Sequence, residues 1–210
     1  MSCGNELAWY DNVPVVSYAL LRGRCRSCGT RISVLYPAVE VAAALLVAAC
    51  VWTFGLTADA AVAALFCAVL VAVTATDLSH RIIPNRIVVP ATVVVVVAQT
   101  VLHPRPEWAL AALGASSFLF AAALAYPAGM GMGDVKLALL MGAMLGKTVS
   151  VAMLSGMLFA LVPSLYLLAR HGSAARKMGI PFGPFLALGS VLSVFAGHWL
   201  LGVYWDTFTH

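Results

Sequence analysis

Residues 59–77, DAAVAALFCAVLVAVTATD, place seventeen uncharged residues between two aspartates. As a helix that run rises about 26 Å, close to the roughly 30 Å hydrocarbon core of a bilayer. It lacks the strict apolar/polar alternation of a barrel strand, so the helix is the better reading. The rest of the 210-residue chain has the same character. Hydrophobic residues make up 62% of it and charged residues 10%, and mean hydropathy is +0.98. A soluble domain carries roughly 25% charged residues. Too few charges remain here to cover a water-facing surface, so the bilayer is the main solvent and every backbone amide needs an internal partner. The expected fold is all-α, a polytopic membrane helix bundle.

Outward from that run, six further apolar spans follow the same logic. The seven expected spans are 37–55, 59–76, 82–102, 109–127, 134–146, 149–169 and 183–203, separated by breaks rich in Gly, Pro, His and charge. Residues 1–36 form a polar, cysteine-bearing segment that does not read as a signal peptide, and residues 37–210 form the membrane domain. The span 134–146 is short, rising only about 20 Å. It is expected either to tilt within the bundle or to start below the surface, which would sink Asp134 partly into the membrane.

Loop charge sets the orientation. With the N-terminus cytoplasmic, the inside segments hold Arg22, Arg24, Arg26, Arg31, Arg81, Arg86, Lys136, Arg170, Arg176 and Lys177, and only Arg105 and Lys147 fall outside. That asymmetry predicts a cytoplasmic N-terminus. The net charge of +4 is therefore assigned to topology, and no nucleic-acid partner is expected.

A carboxylate in or beside a membrane span is costly and marks a candidate site. Asp77 ends the second expected span and Asp134 opens the fifth, in Gly131-Met132-Gly133-Asp134-Val135-Lys136. Two spans separate them, so the chain returns to the same face and contact becomes feasible. Paired carboxyls a few ångström apart hold one proton between them. The ionised member then draws a proton from water while the protonated one hydrogen-bonds a scissile carbonyl. Gly131 and Gly133 would let a substrate backbone approach, and Pro84-Asn85 would break and restart the helix beside Asp77. Each residue also has a plainer reading when taken alone. Asp77 could be an interfacial charge paired with Arg81, Asp134 a helix cap, and Lys136 an interfacial anchor.

DLSHRIIPN (77–85) and GMGDVKL (131–137) resemble the two catalytic motifs of the type IV prepilin peptidases, a family of GxGD intramembrane aspartic peptidases. AWYDNVPVVSYALLRGRCRSCGTRIS with YPAVE resembles that family's cytoplasmic segment, and PFGPFLALG (181–189) the start of its final span. The resemblance implies catalytic roles for Asp77 and Asp134, with Pro84, Asn85, Gly131, Gly133 and Lys136 as active-site loop or substrate-binding residues. It further implies removal of a basic leader from prepilins or pseudopilins at the cytoplasmic face of the bacterial inner membrane. Many members then methylate the new N-terminus with S-adenosylmethionine. Cleavage itself needs no cofactor.

The resemblance also brings a zinc site of two CxxC pairs. Cys25 and Cys28 supply one pair, while Cys3 stands alone, because its partner would fall before Met1. The span that precedes this segment in the family has no counterpart either. Three thiolates admit zinc with a fourth ligand from elsewhere; the alternative is three reduced thiols. Cys50 and Cys67 lie in apolar spans and read as small core residues. No glycine-rich fingerprint supports a methyl-donor site independently. Trp52, Trp108, Trp199 and Trp205 fall near span ends, as interfacial anchors do. His80 reads as an exposed loop residue, and Glu40 as a partner of Arg31 or another basic residue. Two rival functions stay open: a related GxGD peptidase acting on preflagellin-type substrates, and a transporter using the aspartates as a proton relay. The residues carry no reading of oligomeric state.

Overall fold

The computed structural model describes residues 11, 13–126, 130–172 and 180–208. Among them the chain is helical throughout: α1 (Val16–Leu20), α2 (Leu35–Phe54), α3 (Ala58–His80), α4 (Asn85–Leu102), α5 (Glu107–Ala125), α6 (Met132–Leu145), α7 (Val149–His171) and α8 (Gly183–Phe208). Six helical stretches are long and apolar enough to cross a membrane; one of them, Met132–His171, is α6 and α7 joined by a 3-10 turn at Gly146–Thr148. The protein is a multi-pass membrane bundle, and α2 to α8 match the seven expected spans. Arg176 and Lys177, counted among the inside charges, lie outside the described residues.

Local chemistry explains the boundaries. The Thr57 hydroxyl accepts the Ala60 amide at 3.2 Å and caps α3. The expected end of that span at residue 76 is one turn short, because the helix runs on to His80. There Arg81, in the left-handed region at φ 55°, stops it and donates its amide to the Asp77 carbonyl. Pro90 and Pro163 lie inside α4 and α7, which bundled membrane helices tolerate because neighbours re-satisfy the freed carbonyls.

Successive helices pair with their neighbours, α2 with α3, α5 with α6 and α7 with α8, and α6 also touches α4 and α8. Lipid is as apolar as leucine, so close van der Waals approach and polar links hold such helices together. Gly142 of α6 faces the backbone of Ala111 and Ala112 on α5, leaving no room for a Cβ, and Gly189 of α8 faces Ala152 and Gly156 on α7 in the same way. Ser193 on α8 donates to the Thr148 carbonyl at 2.7 Å. The short span is the centre of the bundle: nine of the fourteen residues of α6 are buried. A helix shielded from lipid by protein need not reach both surfaces, which accounts for its length.

At the polar N-terminal segment, Arg24 and Arg31 form an antiparallel bridge. Glu40 accepts the Val15 amide at 2.8 Å, a backbone partner in place of the expected Arg31 or other basic residue. Cys50 and Cys67 are buried between α2 and α3 with their sulfurs 3.9 Å apart.

Candidate active site

Helical spacing decides where the aspartates point. On α3, Phe66, Leu70, Val73 and Asp77 recur at intervals of three and four and all are buried. On α6, Asp134 shares its face with Leu137, Ala138, Met141 and Leu145, which are buried too. Both carboxylates therefore ride on core-facing stripes, with only 6% and 8% of Asp77 and Asp134 exposed. The two lie at the same end of the bundle, because the linker that follows Asp77 packs through Ile83 on Gly133, next to Asp134.

Each carboxylate is held by one backbone amide. Gly131 donates to Asp134 Oδ2 at 3.3 Å, and the Asp134 amide returns to the Gly131 carbonyl at 3.1 Å. This is the role of the third residue in a helix N-terminus that caps its own first turn, so the capping reading and the site reading describe one carboxylate. Asp77 Oδ2 accepts the Gly183 amide at 3.0 Å, and among the described residues no ion pair links it to Arg81. Among the described residues neither Oδ1 has a protein hydrogen-bond partner, which leaves those atoms to water and substrate.

The remaining residues singled out from the sequence fall around this pair. Gly133 sits against Ile83 so closely that a Cβ would stand 2.8 Å from that residue's Cβ. The non-helical linker 81–84 after Asp77 thus packs on the start of α6. Pro84 is the N-cap of α4. Lys136 Nζ donates to Asn85 Oδ1 at 2.9 Å, tying α6 to α4 at this end. His80 is exposed, as expected, but as the last residue of α3 rather than in a loop.

Gly183 was not singled out. Its signal was a glycine between Pro181 and Pro184 where a span opens at the face of the aspartates. A Cβ there would lie 2.8 Å from Asp77 Oδ2, so the residue must be small as well as a donor.

The cysteine site fares differently. Gly29 donates to the Cys25 carbonyl at 2.9 Å, and the Cys25 amide to the Thr30 carbonyl at 2.9 Å, folding Cys25 and Cys28 into one turn. Cys28 Sγ donates to Thr30 Oγ1 at 3.2 Å. Cys3 lies outside the described residues. Among the described ones no three His, Cys, Asp or Glu side chains gather to hold a metal ion. The Cys25 and Cys28 thiolates alone do not make a closed zinc site.

A helix bundle with two buried carboxyls sharing one end belongs among polytopic membrane proteins with an acidic dyad. The family follows from the sequence comparisons. Residues 64–169 match the type IV leader peptidase family, and residues 1–54 match the bacterial peptidase A24 N-terminal domain. The chain is 34% identical to a prepilin leader peptidase/N-methyltransferase of Bacillus subtilis, over 96% of this chain and 82% of the relative. Proteins of the same name from Xanthomonas campestris pv. campestris (32%, covering 96% of this chain and 72% of that one) and Pseudomonas putida (35%, covering 93% and 70%) are similarly close. The chain belongs to the type IV leader peptidase family. No solved structure matches it.

Proposed function

We propose that this chain is an aspartic endopeptidase of the bacterial inner membrane that removes the basic leader from type IV prepilins or pseudopilins. The observation that supports this is that two buried carboxyls, Asp77 on α3 and Asp134 on α6, lie at one end of the bundle, where the linker after Asp77 packs on the start of α6. The N-terminus is cytoplasmic, supported by the ten-to-two distribution of Lys and Arg between the faces. The dyad then opens to the cytoplasm, where a basic leader stays while the hydrophobic stem of the substrate enters the bilayer.

The chemistry needs a water between the carboxyls and a carbonyl at the water. The ionised carboxylate takes a proton from water as oxygen attacks the carbonyl carbon. The protonated carboxyl hydrogen-bonds the developing oxyanion, and a proton then goes to the departing amine. Gly131 and Gly183 amides hold one oxygen of each aspartate and so fix the two faces that meet the water. Methylation of the new amino terminus, with S-adenosylmethionine as donor, is a second activity proposed from the relatives' names alone.

The test is cleavage of a prepilin by the purified protein in lipid, beside Asp77→Ala and Asp134→Ala. Both variants are expected to lose leader removal entirely, and either one cutting at the original rate ends the dyad reading. Cleavage of a preflagellin in preference to prepilin would move the substrate class. A product mass 14 Da higher, roughly one methyl in place of hydrogen, appearing only with the donor reports the second activity.

A further inference from the structure

Between α3 and α4 the chain runs through Ile82 and Ile83 without helical or strand pairing. Neither amide donates, and neither carbonyl accepts, a hydrogen bond among the described residues. Ile83 precedes Pro84, which pushes its backbone toward the extended region. Ile82 is 63% exposed, whereas Ile83 packs against Gly133. This short segment, neither helical nor paired as a strand, follows the helix of Asp77 and touches the start of the helix of Asp134.

Resting on the peptidase function above, we propose that Ile82–Ile83 is the strand on which substrate is laid out, pairing with the extended peptide backbone on either side of the bond to be cut. A helical substrate has its carbonyls engaged in its own i to i+4 bonds. Cleavage requires the junction to unwind, and at the edge of the bilayer the freed amides and carbonyls need partners. An edge with open donors and acceptors supplies them, as in peptide recognition by strand addition. Alternate residues of a strand direct their amide and carbonyl to opposite sides. Two residues therefore offer one rung toward the dyad, enough to set register. Before substrate arrives, water at the membrane surface satisfies these groups, so the exchange is reversible.

Two measurements on the full-length protein in lipid test this. The first uses synthetic prepilin peptides spanning the leader junction, each carrying one amide-to-ester replacement that removes an N–H and weakens a carbonyl while keeping the side chains. One or two positions flanking the cut are expected to lower kcat/KM about five- to tenfold, the effect of one hydrogen bond. In Ile82→Pro or Ile83→Pro the sensitive ester is expected to do no further harm. The second needs no proline: Ile82→Cys is paired with single cysteines walked through the peptide. Disulfide cross-links that depend on Ile82→Cys are expected at alternate peptide positions, the period of a strand. A peptide that is cut but insensitive to every flanking ester, or that cross-links with a spacing of three to four, overturns the strand and leaves the peptidase standing. A parent peptide that is not cut at all overturns both.

Discussion

Replacing Gly183 by alanine isolates the contact that orients Asp77. In the native arrangement the Gly183 amide lies 3.0 Å from Asp77 Oδ2. The new Cβ would stand 2.8 Å from that oxygen and 3.3 Å from Asp77 Cγ. Carbon and oxygen rest in contact near 3.3 Å, so about half an ångström must be absorbed. The start of α8 cannot retreat freely, because Gly189 two turns on is fixed against the backbone of Ala152 and Gly156. The carboxylate therefore turns, and its amide bond stretches or breaks. A hydrogen bond to a charged group contributes about 1.5–3 kcal/mol, and a misplacement of about 1 Å in an active site costs on the order of 100-fold in rate. Leader cleavage by Gly183→Ala is accordingly expected to fall about 10- to 100-fold, in kcat more than in KM. Gly202→Ala is the control, since that position on the same helix has nothing within 4 Å. Cleavage is followed by the mass of the products, with thermal melting in detergent to show that both variants fold. A Gly183→Ala protein that cuts within twofold of the original would refute the positioning role.

The Lys136–Asn85 bond predicts coupling between two residues on different helices. Lys136→Met and Asn85→Ala should each reduce cleavage several-fold, and the double variant should be little worse than either, giving a coupling of about 1 kcal/mol in a double-mutant cycle. Strictly additive losses would show that the two act separately. Gly142→Val forces a side chain into the backbone of α5; the detergent-solubilised protein is expected to melt at lower temperature, and an unchanged midpoint would contradict the α5–α6 packing. At the opposite end, His103 Nε2 and Asp59 Oδ1 lie 2.9 Å apart with half-exposed side chains. Surface pairs contribute about 0–1 kcal/mol, so Asp59→Asn should leave cleavage unchanged, and a marked loss would place that pair in the working machinery.

Hydropathy and loop charge alone gave the spans to within a few residues, because in a membrane the contrast between lipid and water is written into composition. Which helix sits in the middle is another matter. Lipid-facing and core-facing sides are equally apolar, so α6 shows no amphipathic stripe to betray its burial. The aspartates were legible as a pair through span counting. Their supports were legible only in part. Lys136 and Asn85 were each singled out, yet nothing in a sequence joins residues 51 apart. Gly183 meets Asp77 across 106 residues through a backbone amide, and an amide is common to every residue but proline. Only the need to exclude a Cβ leaves a mark, and one glycine among 17 is a faint one.

The shortness of α6 has a counterpart at the opposite end of the bundle. From the start of α3 at Ala58 to Asp77 is about 29 Å of helix, while from Asp134 to the end of α6 at Leu145 is about 17 Å. Along its own axis α6 therefore runs about 12 Å less from its aspartate than α3 does. The chain turns there at Gly146–Thr148, and a cavity of about 360 Å³ opens beside that turn, lined by Glu107, Leu110, Ala111, Gly146, Lys147 and Val149. At the other end the start of α6 packs through Gly133 on Ile83, in the linker that follows the last turn of α3. With nine of its fourteen residues buried, α6 finds its partners in the neighbouring helices, so its length can be set by them instead of by the membrane.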